Sequence, residues 1–317
     1  MKLIAFTISL IILLGAFASV QAEETLKSMY LKAAKASSGD RGSFNAILRQ
    51  AVDNITDKNL AGEELFYAGT MAARIRRFDD AAGWLEKYLV GPGENKSVAL
   101  ATLIDVYYWK KDYQAGAGIY SLFNKNYTDS TIVDPLHNGK PVKILAEIGY
   151  AKSMLGLGER DKWTGALKRA IDMIGDNSQG YVSDMELVNY HSWYATSLKE
   201  KHGWKKAVEY LDTIALPIFA DKPVYNAKIR DRAQFIRLEH YVATEQYAKG
   251  LAELQATVDS YKVDDISYRR VKKALGRFSL YKKPAPELEY QAWIHGEPTR
   301  LAQLRGKVVV LYFFWSG

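Results

Sequence analysis

From Glu23 to about Lys283 the apolar positions of this chain recur at helical spacing. Ala81, Trp84, Leu85, Tyr88 and Leu89 follow the i, i+3, i+4, i+7, i+8 order of one buried helix face, and Tyr247, Leu251, Leu254 and Val258 do the same later. β-branched runs long enough for a strand are absent until Val308. The eight residues from Val308 to Trp315 then break the pattern, being β-branched, aliphatic or aromatic without polar alternation. Such a run predicts a strand covered on both faces. Left uncovered, each side chain would forgo about 1.5–3 kcal/mol of burial, and the strand would template aggregation. The pattern predicts a mostly α chain followed by the opening of something else.

A second regularity lies inside the helical region. Five segments place an aromatic residue, a small residue three later and another core residue four further on: Phe78-Ala81-Leu85, Tyr113-Gly116-Tyr120, Trp163-Ala166-Ala170, Trp204-Ala207-Leu211 and Tyr247-Gly250-Leu254. Each aromatic follows a short charged or glycine-containing turn ("RIRRF", "WKKDY", "GERDKW", "KEKHGW", "VATEQY"), and each turn follows an apolar helix such as "ELFYAGTMAAR". Helix, tight turn, aromatic, small residue and second helix describe an antiparallel hairpin whose backbones approach closely at the small residue.

Over about residues 60–260 this resembles the tetratricopeptide repeat, with Gly69 and Ala195 where that family prefers a small residue in the first helix. The aromatics lie 35, 50, 41 and 43 residues apart, against a family period of about 34. Insertions such as Asn124 to Pro141 account for the excess, and a non-repetitive helical domain is the alternative. The resemblance implies a solenoid whose first helices line a groove for an extended peptide or partner helix. It places Asp105, Tyr108, Thr196 and Lys199 in that groove, although each alone also reads as an ordinary exposed helix residue.

The last helix, near Ser267 to Phe278, carries Tyr268, Val271, Leu275 and Phe278 on one face and Arg269, Arg270, Lys272, Lys273 and Arg277 on the other. A polar outer face suits an end helix that closes a solenoid. Lys282-Lys-Pro-Ala-Pro286 cannot continue a helix and sets a boundary near residue 283.

Beyond it, Ala285-Pro286-Glu287-Leu288, the turn His295-Gly296-Glu297, the segment Leu301-Ala-Gln-Leu304-Arg305-Gly306-Lys307 and the run Val308 to Trp315 resemble the start of the thioredoxin-like domain of TlpA-like thiol–disulfide oxidoreductases. In that family a Cys-x-x-Cys pair follows at a helix N-terminus, where the dipole lowers the thiol pKa. This chain contains no cysteine. The expectation is that Val308–Trp315 is the inner strand of a redoxin fold continuing past Gly317, with pairing to a partner's sheet or folding back onto the helices as rivals. The resemblance implies a thiol–disulfide oxidoreductase acting on disulfide-containing proteins, and a peroxiredoxin-like relative stays open.

The first residues, "MKLIAFTISLIILLGAFASVQA", have the order of a secretory signal peptide, with one Lys, an apolar stretch and the small-residue site Val20-Gln21-Ala22. The expectation is cleavage after Ala22 and export to a periplasm or extracellular space, with membrane contact only if the segment is uncleaved. The predicted organisation is a signal peptide at 1–22, helical repeats at 23–283 and a thioredoxin-like fragment at 284–317.

The net charge of +7 is spread along 317 residues and is weak evidence for nucleic acid. Without cysteine, thiolate metal sites and disulfides are excluded within the chain. The five histidines, His137, His191, His202, His240 and His295, show no ligand spacing, so neither metal nor cofactor is expected. His191, among Tyr190, Trp193 and Tyr194, reads as a structural histidine. Asp79-Asp80 suit a helix start, Gly156-Leu-Gly158 is no dinucleotide loop, and Asn95-Lys-Ser fits the glycosylation triplet. Two functions remain: an exported oxidoreductase with a helical partner-binding domain, or a non-enzymatic scaffold binding a peptide or protein partner in the cell envelope.

Overall fold

The computed structural model describes residues 25–37, 39, 41–55, 59–127, 131–177, 180, 182–260, 266–281, 283, 300–304 and 306–307. The expected signal peptide and the run Val308–Trp315 lie outside the described residues. Contacts divide the chain into two units, 1–206 and 207–317, so the region read from sequence as one array is described in two parts.

In the first unit, α1 (Leu26–Ala36), α2 (Arg41–Asp53), α3 (Glu63–Arg74), α4 (Phe78–Val90), α5 (Lys96–Trp109), α6 (Tyr113–Asn126), α7 (Val142–Gly156), α8 (Arg160–Ile174) and α9 (Asp184–His202) follow in order. Three turns between helices share one geometry. The amides of Arg77, Asp112 and Glu159 each donate five residues back, to the carbonyls of Ala72, Tyr107 and Met154, at 2.9 Å. The residue before each donor is left-handed: Arg76 at φ 67°, Lys111 at 62° and Gly158 at 77°. This is the Schellman ending, which caps orphan carbonyls and reverses the chain. Side chains fix several helix starts: Asp112 accepts from the Ala115 amide at 3.1 Å, and Asp79 and Asp80 form ion pairs with Lys110 and Arg77 at 2.6 Å each.

Each helix packs on the next, and alternate helices also touch, α1 on α3, α3 on α5 and α5 on α7. Small residues set these approaches. A Cβ on Gly69 would stand 2.5 Å from Leu85 Cγ, one on Gly149 2.7 Å from Ile104 Cγ2, and one on Gly116 2.8 Å from Ser153 Oγ. Ala81 and Ala166, the small residues of the repeated pattern, are 0 % exposed. Helix α5 meets α3, α4, α6 and α7, and the whole stretch Ser97–Ile104 is buried, which explains its apolar character all round. Glu147 of α7, 3 % exposed, accepts from Tyr120 of α6 at 2.8 Å and takes both prongs of Arg169 of α8 at 3.0 and 2.9 Å, joining three helices.

The stretch read as an insertion is ordered where described. β1 (Val133–Asp134) pairs antiparallel with β2 (Lys140–Pro141) around a 3₁₀ turn, Pro135–His137, with Asn138 and Gly139 both at positive φ. These are the only strands among the described residues; two-residue strands leave no hydrophobic periodicity to read.

The second unit holds α10 (Trp204–Tyr210, which begins just before the boundary), a π turn at Leu211–Ala215, α11 (Leu216–Ile218), α12 (Pro223–Ala243), α13 (Tyr247–Ser260) and α14 (Ile266–Phe278). Pro217 has no N–H to donate and crowds the preceding turn, so the π turn sits where proline disturbs the helix. Leu238, Tyr241, Leu254, Val258, Val271 and Phe278 form its core. Gly250 lets α13 approach there, since a Cβ would stand 2.6 Å from the Phe278 ring. On the basic side of α14, Arg270 pairs with Asp231 at 2.9 Å.

Two glycines test the close approach. Gly69→Ala should lower stability by about 1–3 kcal/mol through overpacking against Leu85. Gly83→Ala, exposed within α4 with nothing within 4 Å of the new methyl, should raise it by about 0.5–1 kcal/mol. Urea unfolding midpoints of the two variants check both signs.

Candidate functional site

The helices α3, α5, α7 and α9, with the turn after α3 and the β1–β2 segment, border a cleft of about 290 Å³. Its floor is apolar where Ala73, Ala101, Val106, Leu145 and Ile148 meet, and its walls are charged. The cations are Arg74, Arg76, Lys140 and Lys152, and the acids Asp105 and Glu186.

Three charge sets are built into these walls. Asp105 Oδ1 pairs with Lys152 Nζ at 2.8 Å, and its Oδ2 accepts from Trp109 Nε1 at 3.1 Å, while 45 % of its side chain stays open to the cleft. Burial acts to raise the Asp105 pKa, but Lys152 and the indole N–H outweigh it and hold the carboxyl below its usual range. Lys140, with only 8 % of its side chain exposed, reaches Glu186 Oε1 at 2.8 Å. Glu186 is aimed by the capping box that starts α9, its Oε2 accepting from the Ser183 amide at 3.0 Å. Burial pushes the Glu186 pKa up, and Lys140 and Ser183 bring it below the ordinary glutamate value.

The third set is deeper. Arg74 Nη1 meets His137 Nε2 at 2.6 Å, Arg74 Nη2 donates to the Leu136 carbonyl, and His137 Nδ1 bonds the Asp134 carboxylate. Arginine has only donors, so Nε2 accepts and the ring proton sits on Nδ1, facing Asp134. Asp134 is buried and its other oxygen takes the Leu136 amide at 2.8 Å. Burial raises its pKa, but His137 and Arg74 prevail and hold it low.

At the mouth stands Trp109, 46 % exposed. Phe78 stacks parallel to it at 6.3 Å, the Arg76 guanidinium lies 5.5 Å from its centroid, and the Lys152 ammonium lies 5.4 Å from Tyr108 and 6.0 Å from Trp109.

Of the residues assigned to a groove from sequence, Asp105 lines the cleft and Tyr108 stands beside it against Lys152. Thr196 and Lys199 lie further along α9, outside the lining, and Thr196 Oγ1 donates to the Ser192 carbonyl of its own helix at 2.8 Å. Sequence reasoning missed Arg74, His137, Lys140, Lys152 and Glu186. The one available signal was Asp134-Pro-Leu-His137 before Asn138-Gly139, an acid and a histidine three apart at a turn.

Elsewhere, His191 is fully buried, and burial pulls its pKa down to about 4. The Asn95 amide nitrogen donates to Glu63 Oε2 at 2.8 Å, committing that triplet to an internal bond. Among the described residues no helix is long and apolar enough to cross a membrane, and no group of three acids or histidines is placed to hold a metal ion. Compared with known proteins, the chain matches no family model, and no curated sequence matches it significantly.

The His191 shift has a sign. Its folded pKa lies below the unfolded 6.5, so the unfolded chain binds the extra proton, and stability falls as pH drops from 6.5 toward 4. Between pH 7 and pH 5 the protein should lose about 2 kcal/mol from this group. Urea unfolding of His191→Leu should show that much less loss over the same interval.

Proposed function

We propose that the helical hairpins form a tetratricopeptide-like binding module of an exported protein, and that the module takes an extended peptide or partner segment in the cleft. The observation that carries this reading is the lining itself. Alternate helices, α3, α5, α7 and α9, supply most of it, as expected where hairpins stack and their first helices share one side. The turns that repeat one left-handed geometry and the small residues at each approach support the same reading. An apolar floor with a few fixed polar groups is the make-up of a recognition site.

Peptides selected from a random library on the full chain test the proposal. Leu145→Trp, which fills the floor, should weaken their binding by about tenfold or more. Equal binding to both proteins would remove the cleft from the reading.

A second reading rests on Ala285-Pro286 through Trp315, whose order resembles a TlpA-like thioredoxin domain. It makes the helical module the partner-binding part of a thiol–disulfide oxidoreductase. Because the 317 residues hold no cysteine, this chain alone should not reduce insulin disulfides with a dithiol donor. A longer form of the protein that carries a Cys-x-x-Cys pair should do so, and changing both of those cysteines to serine should abolish the activity. Turnover that survives those changes would sink this reading.

A further inference from the structure

We propose that the cleft recognises an aromatic acid, with a planar ring laid on the Trp109 indole and one carboxylate held by Arg76. The inference rests on the reading of this cleft as a binding site and names the chemistry of what enters it.

Charge matching is the first argument. Three of the cations in the walls already have acids: Lys152 has Asp105, Lys140 has Glu186, and Arg74 has Asp134, with His137 between them. The Arg76 side chain is exposed and makes no hydrogen bond or ion pair among the described residues, its guanidinium resting only over the Trp109 ring. One positive charge is therefore left over at the mouth. A monoanion balances it, whereas a dianion would face Asp105 and Glu186 with too little compensation.

Shape is the second. Trp109 is half in the open, yet its indole is pinned by the hydrogen bond to Asp105 and by the parallel Phe78 ring. A flat apolar face held this way has already lost its rotamer freedom, so a ring stacking on it forfeits little further entropy. Arg76 extends from a turn beside that face, 5.5 Å from the indole centroid. Its planar fork can turn from the indole to a carboxylate carried by the stacked ring, which it binds in two-pronged fashion. The volume of about 290 Å³ suits one residue-sized group.

Isothermal titration calorimetry on the full chain tests this with N-acetyl-L-tyrosine, N-acetyl-L-tyrosinamide, acetate, and Gly-Gly-Gly-Tyr with a free or amidated C-terminus. The free acids should bind about tenfold more tightly than their amides, and acetate should give no heat. Arg76→Gly should weaken the acid about tenfold while keeping the melting temperature, because φ 67° suits glycine. Lys111→Gly, at a matching turn with φ 62° outside the lining, should leave affinity unchanged. Equal binding of acid and amide, unchanged affinity in Arg76→Gly, or no binding of any acid would overturn the proposal. If the small acid binds and the tetrapeptide does not, this inference stands and the peptide reading of the module falls.

Discussion

The contact on which the rest depends is the approach of α7 to α5 at Gly149. With hydrogen in place of a methyl, the α7 backbone settles against Ile104 and the Asp105 amide, where a Cβ would stand 2.7 and 3.7 Å away. One helical turn on, Lys152 then reaches Asp105. Any bulkier residue at 149 would push the two helices apart, open the floor at Ile148 and Val106, and separate that ion pair. The other approaches, Gly69 on Leu85 and Gly116 beside Ser153, do the same for neighbouring helices. Together they hold α5 among four neighbours.

Charges of this density in a partly enclosed space are costly unless paired, since desolvation disfavours every ionised group. The cleft meets that cost in pairs drawn from different elements: α5 with α7, β2 with α9, and α3 with the 3₁₀ turn. Each acid ends with its pKa below the ordinary value despite burial. All three should stay ionised at neutral pH, so the cleft presents a fixed electrostatic pattern in which the Arg76 side chain is unmatched among the described residues.

Much of the local structure was legible because it rests on short-range rules. Phe78, Tyr113 and Trp204 begin their helices or stand next to the start, as their position after a turn implied. Trp163 falls three residues inside α8 because Gly158 and not a residue nearer the aromatic takes the left-handed turn. Asp79-Asp80 sit in a first helical turn with basic partners, as acids near a helix N-terminus should. The cleft was largely illegible. Asp105 could be placed from the hairpin pattern, but Lys140 and Glu186 are 46 residues apart and Arg74 and His137 are 63 apart, and no periodicity links such pairs.

What the sequence determined by itself was the helical character, the places where the chain turns and the small residues at which helices can close. These follow from side-chain size, backbone freedom and spacing within a few residues of chain. What only the tertiary structure decided was which charges meet. Pairing depends on distances of a few ångströms between separate helices, and those are set by packing against Gly149, Ile104 and Leu85 rather than by any local preference of the paired residues.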